Sequence, residues 1–143
     1  MNILVINGPN LNFLGKREPE IYGSRTYDDL CAMIREEADT LGVNVEFYQS
    51  NHEGDLVDAI QGAYGRIDGI VINPAAYTHT SVALLDAVKT VAIPTVEVHI
   101  SDPDTREEFR RISYIRLACE TTIKGTGFEG YTEALRYLVN MKK

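Results

Sequence analysis

The sequence predicts an α/β chain folded as a flavodoxin-like three-layer sandwich: a five-stranded parallel sheet of order 2-1-3-4-5 with helices on both faces. Three observations predict it. Apolar, β-branched runs alternate with amphipathic stretches along the whole chain, and such alternation implies parallel strands joined by right-handed crossovers. The length, 143 residues, fits a single domain over 1–143, large enough to bury roughly two thirds of its unfolded surface. Finally, each of the three histidines falls at the end of an apolar run: His52 after VNVEFYQSN, His79 after GIVINPAAYT, His99 closing PTVEVH. The C-terminal ends of parallel strands share one edge, where open α/β sheets place their ligands.

The elements follow in order. Residues 2–7 (NILVIN) read as a buried strand. Residues 8–24 carry Gly8, Pro9, Gly15, Pro19 and Gly23 and read as a loop, long for a βα connection, as active-site lids are. Residues 26–41 read as a helix, with Thr26 as N-cap, Asp28 and Asp29 in the first turn and Gly42 as the stop. Its apolar face is Leu30, Ile34, Ala38 and Leu41. A strand follows at 43–49, a helix at 54–64 ended by Gly65, a strand at 68–72, and a helix at 79–89 that His79 opens. Residues 94–99 form the fourth strand. Residues 105–116 read as a short helix followed by irregular chain, 119–124 as the fifth strand and 128–141 as the last helix. The switch point lies between strands 1 and 3. Gly8–Gly23 and Asn73–Ser81 would flank that crevice, with His99 one strand further on.

Composition narrows the function. A net charge of −7, from 14 basic and 21 acidic residues, argues against a nucleic-acid backbone binder. An anionic small substrate stays open, because a local arginine can reverse the field inside a crevice. No apolar run reaches the length of a membrane span, and with NILVIN read as a strand from residue 2 no leader is expected. Cys31 and Cys119 lack CxxC spacing and read as reduced structural residues. The expectation is a cytoplasmic protein with neither nucleic-acid nor membrane partners.

Missing motifs narrow it further. The first turn, GPNLNFLG, is not GxGxxG, and GxxxxGK[ST], HExxH, GxSxG and tight Cys/His/Asp clusters do not occur. The usual nucleotide-phosphate cradles are therefore missing and a metal site is not expected, which leaves proton transfer on a polar substrate as the chemistry. Arg17 and Tyr22 share the long loop, five residues apart. A free tyrosine titrates near about 10, and a neighbouring guanidinium favours the phenolate, so the pair makes a credible general base. Equally, Tyr22 reads as a packed body and Arg17 as solvated surface, with Glu18 or Glu20 as its partner. Glu97 and His99 lie two apart on one strand and project to the same side. A carboxylate there orients the imidazole and supports its protonated form, which suits a general acid; a partly buried charge pair is the plainer reading. His79 can grip a hydroxyl, with Thr78 or Thr80 as an ordinary helix start. Asn73 and Asn10 can each hold a carboxylate, a hydroxyl or a water, while Asn73-Pro74 also reads as a turn. Arg106, Arg110 and Arg111 can meet an anion or polyol, or pair with Glu107 or Glu108 in solvent. His52, beside Asn51 and Glu53-Gly54, reads as a structural turn residue.

Six blocks then occur in register: GPNLNFLGKREPEIYG, SNHEG, INPAAYTHTSVALLDA, VEVHIS, REEFRRISYI and GTGFEGY. Together, across nearly the whole chain, they strongly resemble the type II 3-dehydroquinate dehydratases. The resemblance implies a flavodoxin-like enzyme without metal or organic cofactor, eliminating water from 3-dehydroquinate through an enolate to give 3-dehydroshikimate. By position it implies Tyr22 as the base at C2 and Arg17 as the arginine that holds this tyrosine near its ionised form. Asn10 would hold a water against the enolate oxygen. His99 would be the acid for the departing C1 hydroxyl, with Glu97 as its supporting carboxylate. Asn73 and the backbone amides of Ile100 and Ser101 would grip the substrate carboxylate, and His79 and Arg110 would meet ring hydroxyls. Asp86 would be lent to a neighbouring subunit, which implies a homo-oligomer, a dodecamer built from trimers.

The chain departs from the commonest pattern in places. Ser101-Asp102-Pro103-Asp104 stands where many relatives have SN-x-H, placing two acids near the grip on an anion, to weaken binding or simply face solvent. Ala75-Ala76 stands where a glycine often occurs, which demands ordinary backbone angles or a small shift. Leu85 and the segment RLACETTIKG differ as well; the latter is expected to lie away from the catalytic positions and to affect packing or assembly. Two other classes share the fold. A phosphoacceptor receiver would use Lys124, but Asn7 and Asn73 stand where its acids belong. A flavin protein would need a Ser/Thr-rich first loop, which is missing.

Overall fold

Side-chain alternation along the strands decides which helix covers which face. The structure, a computed structural model, describes residues 1–16 and 18–143, and of Tyr22 the backbone alone. Strand β1 (Asn2–Asn7) sits in a parallel sheet with β2 (Asn44–Gln49), β3 (Gly69–Asn73), β4 (Thr95–His99) and β5 (Thr121–Lys124), in the order β2-β1-β3-β4-β5. Ile3 and Val5 of β1, Val71 of β3, and Val96 and Val98 of β4 point to one side. There they pack against Leu30, Ile34 and Ala38 of α2 (Tyr27–Leu41) and Tyr131, Ala134, Leu135 and Leu138 of α5 (Glu129–Met141). Leu4, Ile6, Ile70 and Ile72 point the other way, onto Leu56 and Ile60 of α3 (Glu53–Gly62) and Leu84, Ala87, Val88 and Val91 of α4 (Val82–Val91). The bodies of β1 and β3 are thus apolar on both faces, as a sheet covered twice requires, whereas β4 is apolar only toward α2 and α5.

The first long helix is set by its ends. Thr26 Oγ1 accepts from Asp29 N at 3.1 Å while the Asp29 carboxylate accepts from Thr26 N at 2.9 Å, a capping box. Gly42 closes it at φ 72°.

Three stretches differ from the sequence-based reading. The long loop after β1 is only partly free: Leu11–Phe13 form a 3-10 turn, Leu11 and Leu14 are buried in the α2–α5 core, and Pro19–Tyr22 form a single helical turn, α1. Arg17 lies outside the described residues. The helix expected at 79–89 begins instead at Val82, because Ser81 caps it, Oγ accepting from Leu84 N at 3.0 Å. His79 therefore closes a 3-10 helix, Ala75–His79, rather than opening α4. The helix expected after 105 is replaced among the described residues by 3-10 turns at Pro103–Thr105, Glu108–Arg111 and Ile115–Ala118.

At the switch point β1 and β3 leave the sheet almost in contact. Asn7 pairs with Asn73 in register, and Gly8 N donates to Asn73 O at 2.8 Å. A Cβ on Gly8 would lie 2.4 Å from the Pro74 carbonyl oxygen, so only glycine lets the two chains pass. Two residues on, Ala75 adopts φ 54°, the left-handed region. The ordinary angles expected there are not what the chain adopts: Asn73 Oδ1 accepts from Ala75 N at 3.0 Å and fixes the turn as it is.

These two neighbouring positions predict opposite effects. Gly8→Ala should destabilise by about 1–3 kcal/mol or more, through overpacking against backbone. Ala75→Gly should stabilise by about 1 kcal/mol, raising Tm by roughly 3 °C, because it removes a left-handed alanine. Thermal melts of both variants check the pair, and a lower Tm for Ala75→Gly would contradict the strain.

Candidate active site

The carboxyl ends of β1, β3 and β4 open into a crevice lined by Asn10, Leu11, Asn73, His79, His99, Ile100, Ser101 and Arg110 among others. Residues singled out from the sequence thus meet in one place, although they span a hundred positions.

The two halves of the site are held from opposite layers. Asn73 belongs to the α5 side. Its Nδ2 donates to Tyr131 Oη at 3.0 Å, and Tyr131 Oη donates to Asn7 Oδ1 at 2.6 Å. Burial raises the Tyr131 phenol well above its usual range, so it stays protonated and can donate. This anchor through Tyr131 and Asn7 was not read from the sequence. Parity alone predicts that Asn7 and Asn73 face one layer, but not that a tyrosine from the last helix reaches them.

His99 and Glu97 belong to the α4 side. Glu97 is 0% exposed and His99 6%. His99 Nε2 meets Glu97 Oε2 at 2.5 Å, so the pair expected from their spacing forms. A buried carboxylate needs donors on both oxygens. Ser113 Oγ donates to Oε2 at 2.7 Å; Thr122 Oγ1 and Arg116 Nε donate to Oε1 at 2.9 and 3.1 Å; and Arg116 Nη2 lies 3.4 Å from Oε2. Burial alone would raise the Glu97 pKa, but the hydrogen bond and charge of His99, with Arg116 and Ser113, outweigh it and hold the carboxyl at about 2. Thr122 stands opposite Glu97 in the β4–β5 register, so its side chain shares that face. The expectation that RLACETTIKG lies away from the positions expected to be catalytic is therefore corrected: Arg116 and Thr122 contact Glu97 directly. Arg116 comes from a 3-10 turn, whose side chains follow neither helical nor strand spacing.

His79 Nδ1 lies 2.7 Å from Ile112 O, a contact that requires the proton on Nδ1. Burial, then the charges of His99 and Arg110, outweigh the raising effects of Ile112 and Glu97 and lower its pKa, keeping the ring neutral with Nε2 as an acceptor. Arg110 lines the crevice, pairs with Glu107 and stacks on Phe109. Asn10 sits at φ 71°, a conformation asparagine tolerates, and its N–H donates to Asn51 Oδ1 at 3.0 Å. Arg106 also faces the crevice and approaches Glu18 of the long loop at 3.9 Å.

Other expected residues stand apart. Asp86 is exposed on α4, outside the crevice. His52 is exposed at the start of α3, its N–H bonded to Ser50 Oγ at 3.0 Å, which suits a turn residue. The backbone of Tyr22 ends α1; its side chain, like Arg17, lies outside what the structure describes. Asp102 and Asp104 do not simply face solvent: Lys124 pairs with both, at 3.6 Å from Asp102, which offsets their charge beside the crevice. Among the described residues no group of three or more His, Cys, Asp or Glu could hold a metal ion, and no helix is long and apolar enough to cross a membrane.

The comparisons agree on one family. A family model described as dehydroquinase class II matches residues 1–139. The chain is 57% identical over 141 residues to the 3-dehydroquinate dehydratase of Clostridium acetobutylicum, covering 99% of this chain and 98% of that one. It is 58% identical over 141 residues to the 3-dehydroquinate dehydratase of Corynebacterium glutamicum, covering 99% and 97%. The solved type II dehydroquinase from Butyrivibrio crossotus superposes with a TM-score of 0.95 at 54% identity, over 96% of this chain and 97% of that one.

The depressed Glu97 pKa carries a stability consequence. Its folded value, about 2, lies below its ordinary 4.5. The stabilisation is therefore complete above pH 4.5 and fades as pH falls toward 2, a contribution on the order of 3 kcal/mol. Glu97→Gln should be less stable at neutral pH and lose less on acidification through that window. Urea unfolding at a series of pH values checks it; parallel curves for parent and variant would contradict the ionised buried carboxylate.

Proposed function

The chain belongs to the class II dehydroquinase family and has 3-dehydroquinate dehydratase activity, and we propose that it eliminates water through an enolate, with Tyr22 as general base and His99 as general acid. The observation that carries this reading is the His99–Glu97 pair, 2.5 Å apart, with His99 opening onto the crevice and Glu97 sealed beneath it.

In this reading Tyr22, as phenolate, takes the proton from C2, and the electron pair moves onto the C3 carbonyl oxygen. Arg17 favours the phenolate by its charge. Asn10 holds a water against the developing enolate, where fixed dipoles act most strongly. The enolate then re-forms its carbonyl, the C1–O bond breaks, and C1=C2 forms. His99 delivers a proton to the departing hydroxyl, which leaves as water. Since Nε2 is taken by Glu97, Nδ1 is the delivering atom. Solvent restores the proton to His99 and removes one from Tyr22. Asn73 and the amides of Ile100 and Ser101 take the substrate carboxylate, while His79 and Arg110 take ring hydroxyls.

The elimination is redox-neutral, and acid–base groups handle both the proton at C2 and the departing hydroxyl, so the reading needs neither metal nor organic cofactor. Asp86, exposed on α4, closes the site of a neighbouring copy in this reading, and the working assembly is a dodecamer built from trimers.

The test is enone absorbance after adding 3-dehydroquinate, with a chelator present throughout. Tyr22→Phe should lower kcat by roughly 10²–10⁴-fold while substrate still binds. Turnover near the parent's would remove Tyr22 from the chemistry, and a signal abolished by the chelator would overturn the cofactor-free reading. For the assembly, sedimentation should find active protein only above the monomer; a fully active monomer would overturn the role given to Asp86.

A further inference from the structure

We propose that Arg116 is a positioning residue for the acid: with Thr122 it holds the Oε1 edge of Glu97, aims Oε2 at His99, and draws off part of the carboxylate charge that His99 would otherwise receive. The proposal rests on the reading of His99 as general acid, and on the geometry around one buried carboxylate. Oε1 takes the two outer donors, Arg116 Nε and Thr122 Oγ1, at 3.1 and 2.9 Å. Oε2 takes His99 at 2.5 Å and Ser113 at 2.7 Å, with Arg116 Nη2 at a longer 3.4 Å. The shorter Arg116 contact is thus on the oxygen that His99 does not use.

The contact matters because two cationic partners share one anion. A carboxylate facing an imidazole alone stabilises the imidazolium and makes it a reluctant acid. A guanidinium on the same carboxylate lowers its basicity and weakens that hold, so the proton is released more readily to a leaving group. Arg116 does this from outside the crevice, which it does not line. Its side chain is 36% exposed, so its charge is partly screened and the effect is a tuning one. Other groups whose charges reach this pair or Arg116 are His79 across the crevice, itself facing Arg110, Cys119 after the last 3-10 turn, Lys124 at the end of β5, and Asp104 in the Pro103–Thr105 turn.

Two readouts test it on the intact enzyme. The proton shared by His99 and Glu97 should give a far-downfield NMR resonance, identified by its loss in His99→Asn. In Arg116→Ala the carboxylate becomes more basic and closer to the imidazole in proton affinity, so the resonance should move further downfield. The alkaline limb of the kcat profile should move up by about one pH unit, with KM little changed. An unmoved resonance would overturn the proposal. A moved resonance with a stationary limb would support the grip of Arg116 on the pair and remove His99 from the acid role, which separates the two failures. Should Arg116→Ala not fold, Arg116→Gln keeps a donor without the charge; its resonance should still shift, and one coincident with the parent's would overturn the proposal.

Discussion

A carboxylate with no contact to water must find every hydrogen-bond donor within the protein, and Glu97 imposes that demand on much of its surroundings. Its donors come from its own strand, from the neighbouring strand β5, and from the irregular chain between them. A regular α-helix over residues 103–118 would present side chains at fixed spacing on one face. The short 3-10 turns there instead deliver Ser113 and Arg116 to one carboxylate and Arg106 and Arg110 to the crevice. Burying the charge without those donors would cost several kcal/mol, so the irregularity is a structural requirement rather than slack.

The sheet divides the labour. Its α5 face supplies the Tyr131–Asn7–Asn73 network beneath the proposed carboxylate grip; its α4 face supplies the His99–Glu97 pair. The crevice lies where β1 and β3 separate, and the glycine at position 8 lets their exits pass closely enough to frame it. Left-handed angles at Asn10 and Ala75 sit on the two loops that leave this point. Residues held in such conformations cluster where surrounding structure over-determines them, as active sites do.

Most of the fold was legible because its signals are local. The run NILVIN, the Thr26 cap and the Gly42 stop each depend on near neighbours, and each lies where local chemistry places it. Alternation and crossover handedness gave the parallel sheet, and five strands at this length suited the order 2-1-3-4-5. The pairing of Glu97 with His99 was legible for the same reason, since two residues apart on a strand means one face. What escaped was non-local or irregular. Ser81 outcompeted His79 for the start of α4 because a hydroxyl can accept from Leu84 N. Arg116 and Thr122 reach Glu97 only once β5 is docked beside β4, and no period in the sequence reports that. Lys124, legible alone as a receiver-like lysine, proved to be the counter-charge for Asp102 and Asp104.

The bond from Tyr131 to Asn7 joins residues 124 positions apart. It ties the beginning of the polypeptide to its last helix, and through Asn73 it underlies the crevice floor. A ribosome therefore makes every proposed acid, base and binding group before the residue that fastens the floor. Such long-range closure is slow to form. For this chain, loss of the last helix would unfasten the floor without deleting a single group proposed to touch substrate.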